Sequence, residues 1–317
     1  MALLDAHWQP TAPLQRLSLQ WLQGAGVELA VLRLDLLDPL ISGNKWFKLA
    51  PYLALAAKSG ATGVISLGGA HSNHLHALAA AGRRFDFPVV GLLRGAEQDT
   101  PTVRDLRAWG MQLHWLGYGG YRARHQADFW APWQRRYPHL QAVDEGGSGL
   151  PGAQGCMALC QQVAAQLAAV GWADYDAWWL AAGTGTTLAG LVLAQAGSKP
   201  VFGVLAVPGD HGTAQQIAGL LAEAGVANQG YHLLEGCRGG FARTDAELLA
   251  FLGQTEQASG LPLEPVYTAK ALLALRQQVE AGYFARGTRI VFVHTGGLQG
   301  RRAAMPNVEP VAGSMPH

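Results

Sequence analysis

Lysine is scarce in this chain, and one lysine sits where an amine could react. Only five of the 317 residues are lysine, and Lys45 lies in the run Gly43–Leu49, among aromatic and apolar neighbours just before a predicted helix. Such surroundings can lower the pKa of an amine and make it a nucleophile towards a carbonyl carbon. The alternative is a lysine whose stem covers the two aromatic side chains while its ammonium reaches water. The segment alone leaves both interpretations open.

A second segment, residues 63–78, reads as a strand, a glycine turn and a helix. Ser72 or Asn73 falls at the predicted N-cap, where free backbone N–H groups and the helix dipole favour an anion such as a carboxylate. Capping alone is an equally good explanation of these two residues. His71 and His74 are three residues apart, but no carboxylate or cysteine stands nearby to complete a shell, so we predict no metal site.

A third segment places Gly183, Thr184, Gly185, Thr186 and Thr187 between an apolar strand and a helix. Glycines let the backbone approach a ligand, hydroxyls donate hydrogen bonds, and the helix directs its positive end at the turn. The turn suits a single phosphate, because it lacks both the lysine of a P-loop and the full dinucleotide fingerprint. An ordinary glycine turn is the alternative, which the density of Gly and Thr disfavours.

One ligand would engage the lysine and both turns. It is a monophosphate that carries an aldehyde, as pyridoxal 5′-phosphate does. The aldehyde would react with the Lys45 amine, and the phosphate would rest on the threonine-rich turn. A small polar substrate could then dock at the turn before Asn73.

The elements that must position these residues alternate between short apolar runs and longer alanine- and leucine-rich segments, which is typical of a parallel sheet covered by helices. The predicted strands are Gly63–Leu67, Val89–Leu93, Gln112–Leu116, Trp178–Ala182, Val201–Val207 and Ile290–His294. The predicted helices are Phe47–Ser59, Asn73–Arg84, Ala153–Val170, Leu188–Ala196, Thr213–Ala224, Asp245–Ser259 and Ala269–Ala281. We therefore predict an α/β fold with two open, mainly parallel sheets covered by helices.

Two glycine-rich breaks, Gly117–Gly120 and Gly146–Gly152, interrupt this alternation, and the second is the predicted domain boundary. We predict a small inserted α/β domain of residues 50–148. Residues 1–49 plus 149–317 would form the large cofactor-binding domain, with the cofactor between the two lobes.

Composition narrows the class of protein. Apolar residues make up 49% of the chain and charged residues 14%, which predicts a compact globular protein. A net charge of +1 without runs of like charge argues against nucleic acid or an anionic membrane as a partner. No apolar stretch approaches the length that spans a bilayer. Three cysteines cannot form a disulfide framework, and no signal peptide is visible, so we expect a reduced, cytoplasmic protein.

Six ordered blocks, spread from about residue 33 to 300, resemble one family of enzymes. The chain looks like the D-cysteine desulfhydrase and 1-aminocyclopropane-1-carboxylate deaminase family, whose members are fold-type II (tryptophan synthase β-like) pyridoxal-phosphate enzymes. The blocks are Gly43–Leu49, Gly69–His74, Glu145–Ser148, Thr184–Gly190, Glu264–Lys270 and His294–Gly297.

The resemblance implies a role for each matching position. Lys45 would form the Schiff base with the cofactor, Asn73 would bind its phenolic oxygen, and Thr268 would face its pyridine nitrogen with Thr295 close by. The phosphate would be held by Lys48, Gly183, Thr184, Gly185, Thr186 and Thr187. The substrate would meet His71, Ser72, Asn73, His74 and Tyr267, with Ser72 binding the carboxylate or reaching the reacting carbon and Tyr267 acting as an acid or base.

Two positions favour one activity within the family. Deaminase-type members have Glu and Leu where this chain has Thr268 and Thr295, whereas desulfhydrase-type members have hydroxyl residues at both. A hydroxyl lets the pyridine nitrogen stay neutral, which weakens the electron sink and suits loss of a β-leaving group. The chain departs from the family at His71, where Gln is usual, and at Phe241, where a loose alignment places the family's Tyr. These departures further disfavour opening of a cyclopropane ring.

We therefore predict a lyase that eliminates a β-leaving group from a small amino acid, best D-cysteine, giving pyruvate, sulfide and ammonia. One alternative is 1-aminocyclopropane-1-carboxylate deaminase. Another is a serine or threonine dehydratase of the same fold, although its Ser-x-Lys-x-Arg context is missing. A third, of a different class, is a non-catalytic binder of phosphate or carboxylate. The fold-level analogy implies a homodimer.

Overall fold

Two β-sheets organise the chain. The computed structural model describes residues 8–208 and 211–304. The strands are β1 Leu14–Leu17, β2 Glu28–Arg33, β3 Gly63–Gly68, β4 Val89–Leu93, β5 Gln112–Trp115, β6 Leu140–Val143, β7 Ala177–Ala182, β8 Val201–Leu205, β9 Tyr231–Glu235 and β10 Arg289–His294. The larger sheet has the order β1-β2-β10-β7-β8-β9, and the smaller has the order β5-β4-β3-β6.

All the neighbouring strands in both sheets are parallel except β1 and β2, which are antiparallel. Strands β3, β4, β7 and β8 are buried along their whole length. A parallel sheet with helices on both faces requires such continuous apolar runs. The predicted fold class is confirmed, as the chain forms two mainly parallel sheets covered by helices.

Helices connect the strands and cover the sheets. They are α1 Gln20–Ala25, α2 Lys45–Ser59, α3 Asn73–Phe85, α4 Pro101–Ala108, α5 Gly117–Arg122, α6 Ala131–Arg136, α7 Leu150–Cys156, α8 Ala158–Ala164, α9 Thr186–Gln195, α10 Thr213–Glu223, α11 Ala246–Ser259, α12 Thr268–Glu280 and α13 Arg301–Ala304. In the part of the chain that the structure describes, no helix has the length and apolar character needed to cross a membrane.

Helices α2, α7 and α9 pack with their backbones close together. A Cβ at Gly155 of α7 would lie 1.9 Å from the carbonyl oxygen of Phe47 in α2, and a Cβ at Gly190 of α9 would lie 2.2 Å from that of Ala153 in α7. Real Cβ atoms do not approach a carbonyl so closely, so both positions require glycine. These contacts fix α2, which carries Lys45, against α7 and, through it, α9.

The structure corrects several element predictions. Strands β1, β2, β6 and β9 were not predicted, and the predicted strand Val201–Val207 ends at Leu205. The predicted helix Ala153–Val170 begins earlier, at Leu150, is interrupted at Met157 and ends in a 3-10 turn at Ala168–Val170. The predicted break Gly117–Gly120 lies inside α5. The strands of the smaller sheet fall within residues 63–143, inside the proposed inserted domain.

Candidate active site

The candidate site lies where loops at the carboxyl ends of β3, β6, β7 and β10 converge on the start of α2. The backbone N–H of Asn44, just before α2, donates to the carbonyl oxygen of Thr295, just after β10 (3.1 Å). The side chain of Asn44 donates to Thr187 Oγ1 (2.9 Å), in the first turn of α9. Ligands of parallel α/β sheets bind at this carboxyl edge. The Lys45 segment and the glycine-threonine turn therefore meet here, and Asn73 of the third segment lies against Gly297, where a Cβ would be 2.7 Å from Asn73 Nδ2.

Lys45 and Lys48 stand three residues apart in the first turn of α2, where the charge of Lys48 acts on the amine of Lys45. Lys45 is partly buried and Lys48 is only 3% exposed. Burial, together with the ammonium of Lys48, holds the pKa of Lys45 well below its ordinary value. Burial also lowers the pKa of Lys48, but the neighbouring Cys156 and Lys45 partly oppose that shift. Lys45 is thus the amine of the pair that more readily becomes neutral and nucleophilic.

The glycine-threonine turn forms an anion-binding end of helix α9. Lys48 Nζ donates to Thr184 Oγ1 (3.4 Å), and Thr184 Oγ1 lies 2.9 Å from Thr186 Oγ1. Gly185, the N-cap, has a φ of +74°, and a Cβ there would lie 2.4 Å from Cγ1 of Ile217. No acidic residue occupies the first turn of α9. Free N–H groups, hydroxyls and one cation therefore face the same point.

The turn after β3 presents a different set of groups. Ser72 is the N-cap of α3, and its hydroxyl oxygen accepts from the N–H of Leu75 (3.2 Å), which leaves the hydroxyl proton free for a ligand. Asn73 Oδ1 accepts from Nε2 of Gln299 (2.7 Å), so the Asn73 amide nitrogen keeps its own protons to donate. His71 is exposed beside them.

His74 does not share this exposure. It is 2% exposed, lies under the turn, and its Nε2 is 2.7 Å from the hydroxyl of Ser66 in β3. Burial and the charges of Lys45 and Lys48 hold its pKa well below its ordinary value, so the ring is neutral. Its place beneath the lysines suits a supporting role better than direct contact with a substrate.

The start of α12 forms another wall. The buried carboxylate of Glu264 accepts from the N–H groups of Val266, Tyr267 and Thr268 at 2.6–2.8 Å. Burial nevertheless raises the pKa of Glu264 to about 6. Thr268 Oγ1 accepts from the N–H of Glu264 (2.9 Å) and donates to its carbonyl oxygen (3.2 Å). Hydrogen bonds among neighbouring residues therefore hold the start of α12, and the Glu264 carboxylate accepts three of them.

Tyr267 links this wall to the glycine-threonine turn. A Cβ at Gly183 would lie 3.3 Å from Cε1 of Tyr267, so the ring lies against the turn. Burial raises the pKa of Tyr267, and the carboxylates of Glu264 and Glu145 raise it further. The ring of Phe241 lies 6.2 Å from that of Tyr267, edge to face. Phe241 thus stands beside Tyr267, where a substrate-side residue would be expected, and it carries no hydroxyl.

Comparison with known proteins identifies the class. The chain matches the family described as pyridoxal-phosphate dependent enzymes over residues 4–296 and belongs to it. A Pyrococcus furiosus protein provisionally named 1-aminocyclopropane-1-carboxylate deaminase is 29% identical over 296 residues, which cover 87% of this chain and 86% of that protein. The Arabidopsis thaliana bifunctional D-cysteine desulfhydrase/1-aminocyclopropane-1-carboxylate deaminase, mitochondrial, is 28% identical over 91% of this chain and 76% of its own.

A solved structure described as an ACC deaminase homologue superposes with a TM-score of 0.79, at 25% identity, over 92% of this chain and 90% of that one. The resemblance drawn from the six sequence blocks is therefore confirmed. So are the cofactor, pyridoxal phosphate, and the class of enzyme, a pyridoxal-phosphate-dependent lyase.

The residues of the site fit this cofactor. An amine with a depressed pKa lies in the same helical turn as a second lysine, whose Nζ donates to the hydroxyl of Thr184 just before α9. An aldehyde and a phosphate on one small ring need such an amine and such an anion site a short distance apart. Among the described residues, no group of three or more His, Cys, Asp or Glu is placed to hold a metal ion.

Three supporting residues escaped the sequence analysis. Asn44 and Glu264 stood inside matched blocks without a role, and Gln299 was not considered. A polar Asn directly before a reactive lysine and a Glu four residues before Thr268 were available signals. Gln299 carried no such signal in the sequence, because its partner Asn73 is 226 positions away. The assigned roles of the predicted site residues stay predictions.

Proposed function

We propose that this protein eliminates a β-leaving group from a small D-amino acid, with D-cysteine as the substrate and pyruvate, sulfide and ammonia as products. The observation that carries the proposal is the chemistry at the start of α12. Threonine stands at both positions proposed to face the pyridine nitrogen, Thr268 and Thr295, and the carboxylate of the neighbouring Glu264 accepts from three backbone N–H groups. Bound pyridoxal phosphate supplies an electron sink conjugated to the substrate's α-carbon. Hydroxyl residues at the pyridine nitrogen, in place of a carboxylate, suit the weaker electron sink that elimination needs.

Lys45 and Lys48 have different proposed roles: Lys48 binds the phosphate, and Lys45 is the reactive amine. Lys48, as the ammonium, would neutralise the phosphate together with the N–H groups and hydroxyls of the turn 183–187. Lys45 Nζ, kept neutral by burial and by the charge of Lys48, would hold the aldehyde carbon of the cofactor and would also be the base that accepts the substrate's α-proton.

The opposite wall orients the substrate. The Ser72 hydroxyl proton and the N-terminus of α3 bind the substrate carboxylate, because the Ser72 oxygen already accepts from Leu75 and its proton is free. Asn73 would donate from Nδ2 to the phenolic oxygen of the cofactor, because its Oδ1 already accepts from Gln299. Tyr267 stays protonated because burial raises its pKa, so it donates a proton or hydrogen bond and does not serve as the base.

Product analysis tests the substrate. Purified protein loaded with pyridoxal phosphate is incubated with D-cysteine, L-cysteine and 1-aminocyclopropane-1-carboxylate, and sulfide, pyruvate and 2-oxobutyrate are measured. We expect sulfide and pyruvate in equal amounts from D-cysteine. Release of 2-oxobutyrate from the cyclopropane substrate at a greater kcat/KM than D-cysteine turnover would make the protein a deaminase instead.

Paired lysine variants on one helix test the site. Lys45→Ala should abolish turnover and remove the cofactor adduct that borohydride traps. Lys58→Ala is the matched control, since Lys58 is exposed at the far end of the same helix α2. We expect it to keep both. Full turnover by Lys45→Ala, with the adduct retained, would sink the assignment.

We also propose a reduced, cytoplasmic setting and a homodimer. Cys156, Cys160 and Cys237 are free thiols, which is consistent with a reducing compartment. The dimer rests on fold-level analogy. Light scattering of the loaded protein distinguishes a dimer from the 33.6 kDa monomer.

A further inference from the structure

The last residue of β10, His294, is fully buried, and both of its ring nitrogens have hydrogen-bond partners. Nε2 lies 2.7 Å from the carbonyl oxygen of Pro262, and Nδ1 lies 3.3 Å from the backbone nitrogen of Gly296. A carbonyl oxygen can only accept, so Nε2 carries the hydrogen and donates it. The N–H of Gly296 can only donate, so Nδ1 of the neutral ring accepts it.

Two charged residues at the end of the neighbouring strand β2 act on this ring. Arg33 lies opposite His294 in the register of β2 and β10, and it donates to both carboxylate oxygens of Asp35 (2.8 and 2.6 Å). Asp35 Oδ1 lies 3.2 Å from His294 Nδ1. The guanidinium and the carboxylate compensate each other, and burial lowers the pKa of His294, so the ring is neutral near neutral pH. Nδ1 is therefore available to Gly296.

The bond from Gly296 fixes the loop after β10 against the segment that leads to Lys45. Gly296 has a φ of +80°, and a Cβ there would lie 2.5 Å from Cα of Gly43. A Cβ at Gly43 would in turn lie 2.5 Å from the carbonyl oxygen of Thr295, which accepts from the N–H of Asn44. The two backbones are in direct contact, so a shift of Gly296 would move both Thr295 and the start of α2.

The bond to Pro262 fixes the segment that leads to α12. Glu264 follows two residues later, and its carboxylate accepts from the N–H groups of Tyr267 and Thr268 (2.7 and 2.6 Å). Nε2 of His294 therefore anchors the chain directly before the residues that begin α12.

We propose that His294 is a positioning residue: its two hydrogen bonds hold the segments that carry Lys45, Thr268 and Thr295 in one fixed arrangement. The inference rests on the roles proposed for these three residues towards the cofactor. An apolar side chain of similar size would fill the same space, but it would leave the carbonyl of Pro262 and the N–H of Gly296 without these partners. Such a loss is costly in a buried position.

Hydrogen exchange tests this arrangement without the cofactor. The full cofactor-free chain and its His294→Leu variant are compared by hydrogen–deuterium exchange and mass spectrometry, with peptides that cover residues 42–45, 262–268 and 294–299. We expect exchange in all three segments of the variant to be about tenfold faster, as loss of buried hydrogen bonds predicts, while the other strands keep their protection. Unchanged exchange in these segments, or the same acceleration throughout the chain, would overturn the inference.

Two amide variants separate the ring nitrogens and keep the inference testable if His294→Leu does not fold. His294→Gln places its amide near the position of Nε2, so it can donate to Pro262 but does not reach Gly296. His294→Asn places its amide near the position of Nδ1, so its oxygen can accept from Gly296 but does not reach Pro262. We expect residues 262–268 to stay protected only in the Gln variant and residues 294–299 only in the Asn variant. The same pattern in both variants would refute the separate roles of the two nitrogens.

The wild type offers a measurement that needs no variant. The chain, labelled with ¹⁵N-histidine and freed of cofactor, is examined by long-range ¹H–¹⁵N NMR near neutral pH. We expect His294 to show a protonated Nε2 and an unprotonated Nδ1, and any other protonation state would contradict the two hydrogen bonds.

Titration with pyridoxal phosphate, followed by absorbance, connects the arrangement to the site. His294→Leu should lower cofactor affinity about tenfold. Gln195→Leu is the control, because Gln195 is also buried and donates to the Tyr175 hydroxyl (3.1 Å), but lies at the opposite end of α9 from the anion-binding turn. We expect it to keep wild-type affinity and wild-type exchange in the three segments.

The two kinds of failure are distinguishable. The same changes in Gln195→Leu as in His294→Leu would refute the inference, because loss of any buried hydrogen bond would then produce them. Faster exchange in His294→Leu with unchanged cofactor affinity would instead refute the roles proposed for Lys45, Thr268 and Thr295.

Discussion

Gln299→Glu should reverse the amide of Asn73. In the native chain Gln299 Nε2 donates to Asn73 Oδ1 (2.7 Å), which leaves Asn73 Nδ2 to donate to the cofactor's phenolic oxygen in the role proposed for Asn73. A glutamate at 299 can only accept, so Asn73 must turn its Nδ2 to it and present Oδ1 to the cofactor. A hydrogen bond to a charged group is worth about 1.5–3 kcal/mol, so cofactor affinity should fall roughly 10- to 150-fold.

The assay is titration of the cofactor-free chain with pyridoxal phosphate, followed by absorbance. Gln299→Leu separates loss of the tether from reversal, since it removes one neutral hydrogen bond worth about 1 kcal/mol, and affinity should fall only about fivefold. Gln254→Glu, on an exposed face of α11, controls for the added charge. Equal affinities in Gln299→Glu and Gln299→Leu would refute the reversal.

Three further predictions concern stability and pH. Gly185→Ala forces a left-handed φ of +74° on alanine and places its Cβ 2.4 Å from Ile217, so urea unfolding should show a loss of roughly 2–5 kcal/mol; a loss below about 1 kcal/mol would contradict the crowding. Burial raises the pKa of Glu264 from 4.5 to about 6, so its contribution to stability is full below 4.5 and is lost as the pH rises through 6. The stability of the wild type relative to Glu264→Gln should therefore fall by about 2 kcal/mol from pH 4.5 to pH 7, and a rise would reverse the sign argued here. Tyr267→Phe should lower kcat but leave the alkaline limb of the pH–rate profile unchanged below about pH 9, because burial raises the pKa of Tyr267; disappearance of such a limb would identify Tyr267 as a base.

The fold was predictable where burial leaves a local mark. Strands β3, β4, β7, β8 and β10 are apolar runs because both faces of a parallel sheet are covered. Strands β1, β6 and β9 are short and partly exposed, so their patterns resemble loops. Strand β2 is apolar at its centre but begins at Glu28 and ends at Arg33, whose partners lie far away in sequence.

The site, too, was predictable only where its residues are close in sequence. The reactive lysine and the glycine-threonine turn can each be recognised from the residues beside them. The support around them depends on pairs that only the folded chain brings together, such as Gln299 with Asn73 and Asn44 with Thr187. The resemblance implied that His74 contacts the substrate, but the first turn of a helix points successive side chains in different directions, and the side chain of His74 is buried.

The glycine contacts of α2, α7 and α9 pack these three helices together as one unit. Gly155 and Gly190 leave no space for even one methyl group, so α2 and α9 both pack with their backbones close against α7. This packing ties the helix that carries Lys45 to the helix that begins at the anion-binding turn. If the smaller sheet moves when substrate binds, Ser72 at the start of α3 would move with it while α2 and α9 keep their packing. The proposed contacts with the amino acid would then change without a change in the proposed contacts with the cofactor.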